Sequence, residues 1–299
     1  MNTRLFDASS IKIKRHISVF EVVCGLFLSL YVLSFFLLFY FALINAFKGT
    51  LDFLNDPIGL PDKWEFGNLG TMFDNFKVKV GSRGPTYYIE LLALFGLIYA
   101  IGCAVATTLV CLITAYATSQ FNYKFSKIVY GAVIFAMIFP VVGNLPSEMQ
   151  MVRTLHLYDS FLGNFVLKAN FLGLYYLALF AAFGAIPKDF KEAAKVDGAS
   201  NLRIMTHIMI PLVRNTVFTI LLIHFIVYWN DYQTPLLYLP SKPTLALGLY
   251  YFSISTSAEI ADMPVKLCAC LAVFLPIFVV FIVFQKRLIG NVSMGGIKG

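Results

Sequence analysis

Four histidines, His16, His156, His207 and His224, are scattered along a chain of 299 residues. No set of His, Cys, Asp, Glu or Ser has the clustering of a metal centre or an activated nucleophile. Nor does any Gly-rich segment end in Lys-Ser or Lys-Thr to cradle a nucleotide phosphate, so no hydrolytic chemistry is expected of the chain itself. The residues that could act instead are polar groups within apolar sequence, where they are costly and therefore candidates for function. His224 lies in such a run, and Asn144, Tyr228, Trp229, Asn230, Asp231, Tyr232 and Gln233 gather near its end. Aromatic faces for C–H patches, with amides and a carboxylate for hydroxyls, suit recognition of a sugar. A histidine hydrogen-bonded between helices beside an interfacial Trp–Tyr belt would give the same pattern.

The elements that must position these groups follow from composition. The chain is 59% hydrophobic, 16% aromatic and only 13% charged, with a mean hydropathy of +0.77. Soluble domains carry about 25% charged residues, so this is a membrane protein. Runs of 18 or so apolar residues can cross the hydrocarbon as helices. Six are expected, at 22–47, 91–118, 128–145, 169–186, 208–229 and 267–284. The first is too long for a signal-peptide core and lacks a small-residue cleavage site, and is read as a retained span.

Lys and Arg concentrate on the cytoplasmic side of membrane proteins. Arg4, Lys12, Lys14, Arg15, then Lys124 and Lys127, then Lys188, Lys191, Lys195 and Arg203, then Lys286, Arg287 and Lys298 all fall on one side if there are six spans. Both ends are then cytoplasmic, and the net charge of +7 is explained by topology and lipid headgroups, with no nucleic acid implied. Cys24, Cys103, Cys111, Cys268 and Cys270 sit in or beside apolar runs as small hydrophobes. The outer connection 48–87 holds Trp64, Phe66, Phe73 and Phe76, spaced for an interfacial helix with its aromatics at headgroup level. A second outer segment, 230–264, contains the apolar stretch TLALGLYYF, too short to span, and reads as an element lining a cavity. Glu148 and Arg153 fall in a further outer connection, where a solvated pair and a partner contact are both open.

One cytoplasmic stretch, EAAKVDGASNLRIMTHIMIP (192–211), stands out by its charge. A helix opening at Pro187, a stop at Gly198 and a cap at Ser200 or Asn201 predict helix, sharp turn, helix. Phe190, Ala193, Ala194 and Asp197 stack on one strip, with Asp189, Glu192 and Val196 beside it. Small residues next to a bulky Phe form a narrow ridge suited to docking.

Glu192, Ala193, Ala194, Gly198, Ile208, Ile210 and Pro211 together resemble the EAA loop of binding-protein-dependent ABC importer permeases. TAYATSQF (114–121), MIFPVV (137–142), LHLYDS (155–160), IPKDFKEAAKVDGAS (186–200), WNDYQTPLLYL (229–239), TLALGL (244–249) and the ending GGIKG are similar to the carbohydrate branch, in particular the second permease of maltose-type systems. Three departures are Gln120 where Arg is common, Asp189 where Glu is common, and His156 where Gly is common.

The resemblance implies an all-α membrane protein of the type I ABC importer permease fold, with about six transmembrane helices. Residues 1–86 would be a tail, one span and an outer loop; 87–299 the permease core, with the EAA loop at 187–211 and a cytoplasmic tail at 285–299. It further implies a second homologous permease, two cytoplasmic ATPase subunits carrying the ATP and Mg, an extracytoplasmic solute-binding protein and membrane lipid as partners. This chain would bind no cofactor. Glu192, Ala193, Ala194, Asp197, Gly198, Ile208 and Pro211 become the ATPase-coupling residues, Lys298 and Gly299 a tail reaching the ATPase, and Asn144, His224, Trp229 and Asn230 candidates for the translocation path. The expected solute is a saccharide. A non-sugar solute such as a glycerol phosphate ester is the alternative, and a secondary transporter is disfavoured because no run carries a central Asp or Glu.

Overall fold

The computed structural model describes residues 18–121, 123–139 and 143–292, with side chains as far as 285. Arg4, Lys12, Lys14, Arg15, Lys298 and Gly299 lie outside the described residues, and the expected ATPase contact of the tail lies there with them. In chain order the elements are α1 (Val19–Asn45), α2 (Thr50–Asn55), α3 (Gly67–Asn75), β1 (Lys77–Lys79), β2 (Thr86–Tyr88), α4 (Ile89–Gln120), α5 (Lys124–Ile138), α6 (Leu145–Thr154) and α7 (Phe161–Lys168). Then come α8 (Leu174–Gly184), α9 (Asp189–Val196), α10 (Asn201–Ile204), a π-helical turn (Met205–Met209), α11 (Ile210–Leu212), α12 (Arg214–Trp229), α13 (Gln233–Tyr238), α14 (Leu245–Ile254) and α15 (Met263–Val292).

Among the described residues three helices, α1, α4 and α15, are long and apolar enough to cross a membrane, and α10 to α12 make a fourth if that bent segment is one span. The runs 128–145 and 169–186 differ from expectation. Their helices are 15 and 11 residues long, about 22 and 16 Å against about 30 Å of hydrocarbon. In the second run the residues before α8 are not helical, because the Asn170 side chain accepts from the Leu172 amide at 2.8 Å and Gly173 is extended. Irregular backbone at such depth is tolerated where it lines a cavity, and this stretch does so.

Helix α4 is the central post. It carries a stripe of small residues, Gly96, Ala100, Cys103, Ala104, Thr107, Thr108, Cys111 and Ala115, all buried. Small side chains let backbones approach closely where lipid gives no hydrophobic drive to association, and α7, α8, α12 and α14 pack along this post. One apolar core gathers Phe76, Leu92, Trp229, Leu245, Phe252 and Val265. A second, at the other end of α4, gathers Tyr116, Tyr176, Phe183, Ala194, Ile204 and Met209.

The long connections add two features. A short hairpin interrupts the otherwise helical fold, β1 and β2 pairing antiparallel with Val78 opposite Tyr87. Phe76 is not at headgroup level but fully buried, stacked on Phe252 at 5.2 Å, whereas Trp64, Phe66 and Phe73 are exposed. The TLALGLYYF stretch becomes α14, seated inward: a Cβ at Gly248 would come within 2.8 Å of the Phe76 ring.

Candidate functional site

The stretch from Pro187 to Pro211 folds as a helical elbow. Helix α9 begins at Asp189, two residues after Pro187, with Asp189 and Glu192 in its first turn, where the helix dipole favours acidic groups. It ends with the Gly198 amide on the Lys195 carbonyl and the Ala199 amide on that of Ala194. Gly198 has φ +77°, a conformation that side chains disfavour and glycine adopts freely. Ser200 then caps α10, its hydroxyl accepting from the Arg203 amide at 3.3 Å.

Pro211 explains the next bend. It has no N–H to give back to the preceding turn, and the helix before it widens to π geometry over Met205–Met209, with the Ile210 amide reaching the Met205 carbonyl. The segments 201–212 and 214–229 meet at 79°. A π turn beside a proline is an identifiable cause for a sharp kink.

Of the two alanines, only Ala193 is exposed. Ala194 is 6% exposed and packs with Tyr116, Phe183, Ile204 and Met209 in the second core. The expected four-residue ridge is corrected accordingly. α9 must have one face against its own protein, and Ala194 is the small residue that lets it sit close. The free ridge is Phe190, Ala193 and Asp197, with Val196 88% exposed beside it. Glu192 and Pro211 are exposed and Ile208 is half-buried. The ammonium of Lys191 donates to the Gln120 carbonyl and stands 4.2 Å over the Phe121 ring; burial, and secondarily Lys195, hold its pKa below the ordinary lysine value. The Gln120 amide in turn donates to the Phe183 carbonyl at 2.8 Å. A cleft of about 370 Å³ opens here, lined by Gln120, Lys188, Lys191, Glu192 and Lys195 among others.

A second site lies between α4, α8 and α12. It is a cavity of about 410 Å³ whose lining includes Thr107, Lys168, Asn170, Tyr175, His224 and Tyr228. The Thr107 hydroxyl lies 2.7 Å from the Lys168 carbonyl and 2.8 Å from the Tyr228 hydroxyl. His224 Nδ1 meets the Thr108 hydroxyl at 2.9 Å, and its ring stands edge-on to Tyr175 with centroids 4.5 Å apart. At one margin Lys168 Nζ lies 3.5 Å from the Asp231 carboxylate, which also accepts from Tyr99 at 2.8 Å and the Thr234 amide at 3.0 Å. Burial alone would raise the Asp231 pKa; the bonds from Thr234, the Lys168 charge and Tyr99 outweigh it and keep the carboxyl low. Glu148 also lines the cavity and accepts from the Tyr238 hydroxyl at 2.6 Å. Burial first, then Glu148, push that phenol up to about 12.

Of the four candidate path residues, His224 alone lines this cavity. Trp229 belongs to the first core, its indole 3.4 Å from the Val273 carbonyl. Five residues on from His224, it falls on another side of α12. Asn230 is exposed, with its amide returned to the Ile226 carbonyl, and Asn144 is exposed near Glu148 at 3.4 Å. Sequence reasoning missed Lys168, Tyr175, Thr107 and Thr108. A lysine at a run boundary reads as solvated, and threonines in an apolar helix read as packing, so only the shared face of Thr107, Thr108 and Cys111 on α4 offered a signal.

Comparison with known proteins agrees with the fold and names it. The diacetylchitobiose uptake system permease protein NgcG of Streptomyces coelicolor is 24% identical over 258 residues, covering 85% of this chain and 81% of that protein. The melibiose/raffinose/stachyose import permease protein MelC of Bacillus subtilis is 26% identical over 279 residues, covering 88% and 92%. A chain in the crystal structure of a bacterial ABC transporter involved in the import of the acidic polysaccharide alginate superposes with a TM-score of 0.70 at 21% identity, over 91% of this chain and 97% of that one, a likeness of fold. The family described as binding-protein-dependent transport system inner membrane component matches residues 109–293. That match runs from the middle of α4 through the elbow and past the end of α15, more than half of the sequence, and the chain belongs to this family of bacterial membrane permeases.

Proposed function

We propose that the chain is one transmembrane subunit of an ATP-driven importer that takes up a saccharide delivered by an extracytoplasmic binding protein. It pairs with a second, homologous permease and with two cytoplasmic ATPase subunits, which hold the ATP and Mg. In this reading the chain passes the membrane six times with both ends cytoplasmic, residues 1–86 precede the permease core, and the tail at Lys298 and Gly299 reaches the ATPase.

The observation that carries the proposal is the elbow. A helix that presents Phe190, Glu192, Ala193 and Val196 to solvent, while Ala194 and Lys191 fasten it to the ends of α4 and α8, is an apolar knob on a stiff mount. Ala193 permits close approach to an ATPase cleft and Glu192 offers a carboxylate to a basic group on its wall. Gly198, Ile208 and Pro211 fix the angle at which the following span leaves. Closure of the ATPase pair then moves the mount as a body, the rigid rotation by which such interfaces alternate. Sugar-named relatives support the solute class.

The test is nucleotide hydrolysis by the assembly reconstituted in liposomes with its binding protein and a panel of saccharides. One sugar should stimulate hydrolysis, and a Glu192→Lys, Ala193→Trp variant should lose both stimulation and ATPase association. Normal stimulation in that variant refutes the coupling role.

A further inference from the structure

The cavity between α4, α8 and α12 holds a specific balance of groups. Besides Lys168 and Glu148, its polar lining includes the hydroxyls of Thr107, Tyr175 and Tyr228, the Asn170 amide and the His224 imidazole. With Nδ1 engaged by Thr108, the imidazole keeps Nε2 as its remaining hydrogen-bonding atom. Tyr175 and Tyr228 flank the imidazole as aromatic rings, at 4.5 and 6.2 Å between centroids. The backbone before α8 gives up helical structure to form one wall, which brings main-chain polar groups to the same space. Pockets of about 300–1,000 Å³ with a few convergent polar groups are the usual form of small-ligand sites, and this one falls within that range.

The charges decide what kind of ligand. Lys168 is the one cation among the lining residues, and it faces Asp231 at 3.5 Å. Asp231 is itself fixed by Tyr99 and Thr234, so the pair is held in place. Glu148 puts a carboxylate in the lining itself. An acidic solute would meet a matched lysine and a repelling carboxylate, while its own charge lost water, a costly transfer without a partner. A solute with hydroxyls and C–H faces alone meets donors, acceptors and two aromatic rings.

We propose that this chain contacts the solute directly through the cavity lined by Thr107, Tyr175, His224 and Tyr228, and that the site selects an uncharged saccharide over an acidic one. The inference rests on the importer reading above. It departs from the alginate importer that shares the fold, whose named cargo is acidic.

The experiment reads sugar imported per ATP hydrolysed in liposomes carrying the complete assembly. The binding protein is present in excess and saturated, so that its own affinity does not limit the rate. The probes are maltose, trehalose, melibiose and diacetylchitobiose as neutral sugars, and the disaccharides of mannuronate and galacturonate as acidic ones. A neutral sugar should be imported. Tyr228→Phe and His224→Gln should each lower sugar moved per ATP by about tenfold, the scale of a lost hydrogen bond to an unreplaced partner, with stimulated hydrolysis retained.

Four results separate the readings. Unchanged sugar per ATP in both cavity variants, at normal complex abundance, overturns direct contact and leaves the importer reading standing. Import of an acidic sugar by the wild type overturns the selectivity. No response to any sugar overturns the importer reading and this inference with it. Loss of stimulated hydrolysis together with transport marks a coupling defect and also counts against the cavity assignment.

Discussion

Lys191 on the elbow donates to the main-chain carbonyl of Gln120, the last residue of α4, while its ammonium stands over the ring of Phe121. The elbow is thereby fastened to the same helix that lines the cavity through Thr107 and Cys111. A force applied at α9 is delivered to α4 without passing through a loop. Packed elements of this kind have discrete arrangements rather than graded ones, which is what alternating access requires.

Lys191→Met keeps the aliphatic stem and removes both the bond and the cation–π contact, the latter worth about 0.5–1 kcal/mol at partly exposed sites. The variant should insert and assemble normally but hydrolyse ATP with a weakened response to loaded binding protein. Lys191→Arg, which restores a cation over Phe121, should recover most of the response. Equal responses in Met, Arg and wild type would show that the fastening is not used in coupling.

Gly198 separates conformation from crowding. A Cβ at this position meets nothing within 4 Å in this chain, so any penalty comes from φ +77° alone. That costs about 1–2 kcal/mol for an ordinary side chain and less for Asn, which tolerates the left-handed region. Gly198→Val should misalign the elbow and uncouple stimulated hydrolysis, while Gly198→Asn should retain it. Loss in Asn as severe as in Val would place the requirement at the docked ATPase surface instead of in the turn.

Trp229 tests the division between core and cavity. Packed at 4% exposure against α15, it should act on stability and not on transport chemistry. Trp229→Ala deletes a buried aromatic at about 3–5 kcal/mol and should lower the melting temperature and yield of the assembly. Sugar moved per ATP by the surviving protein should stay at the wild-type value. A selective fall in that ratio with unchanged melting would return Trp229 to the path.

How far the sequence reaches is visible in particular residues. The elbow was legible down to Gly198 and the Ser200 cap, because a turn residue with positive φ and a hydroxyl cap have local signatures. Which alanine faces inward was not, since Ala193 and Ala194 are identical in type and only the packing of Phe183 and of Tyr116, the latter far off in sequence, decides it. Helix lengths depart from the apolar runs for a related reason. The run 169–186 is apolar throughout its middle, but the cavity wall draws Asn170 to Gly173 out of the helix, and hydropathy registers burial without registering backbone shape. Of the cavity, His224 was found because a lone histidine in apolar sequence stands out, whereas Thr107 and Thr108 acquire meaning only opposite Tyr228 and His224.

His156 is the departure from the family pattern that the structure explains in backbone terms. It has φ +56° and lies between α6 and α7, where the resemblance leads one to expect Gly. Left-handed geometry costs an ordinary side chain about 1–2 kcal/mol, and His is among the types enriched there, so the lower figure applies. Replacement by Gly would relieve that strain but widen the freedom of the unfolded chain, which works against folding by about 0.4–1 kcal/mol. The two terms nearly offset, with a small excess on the side of relief. His156→Gly should therefore leave the melting temperature of the assembly unchanged or slightly raised, and His156→Val, a β-branched side chain in the same geometry, should lower it clearly. If Gly lowers it as much as Val, the imidazole is making a contact that outweighs the strain, and the position is held by that contact instead of by its backbone.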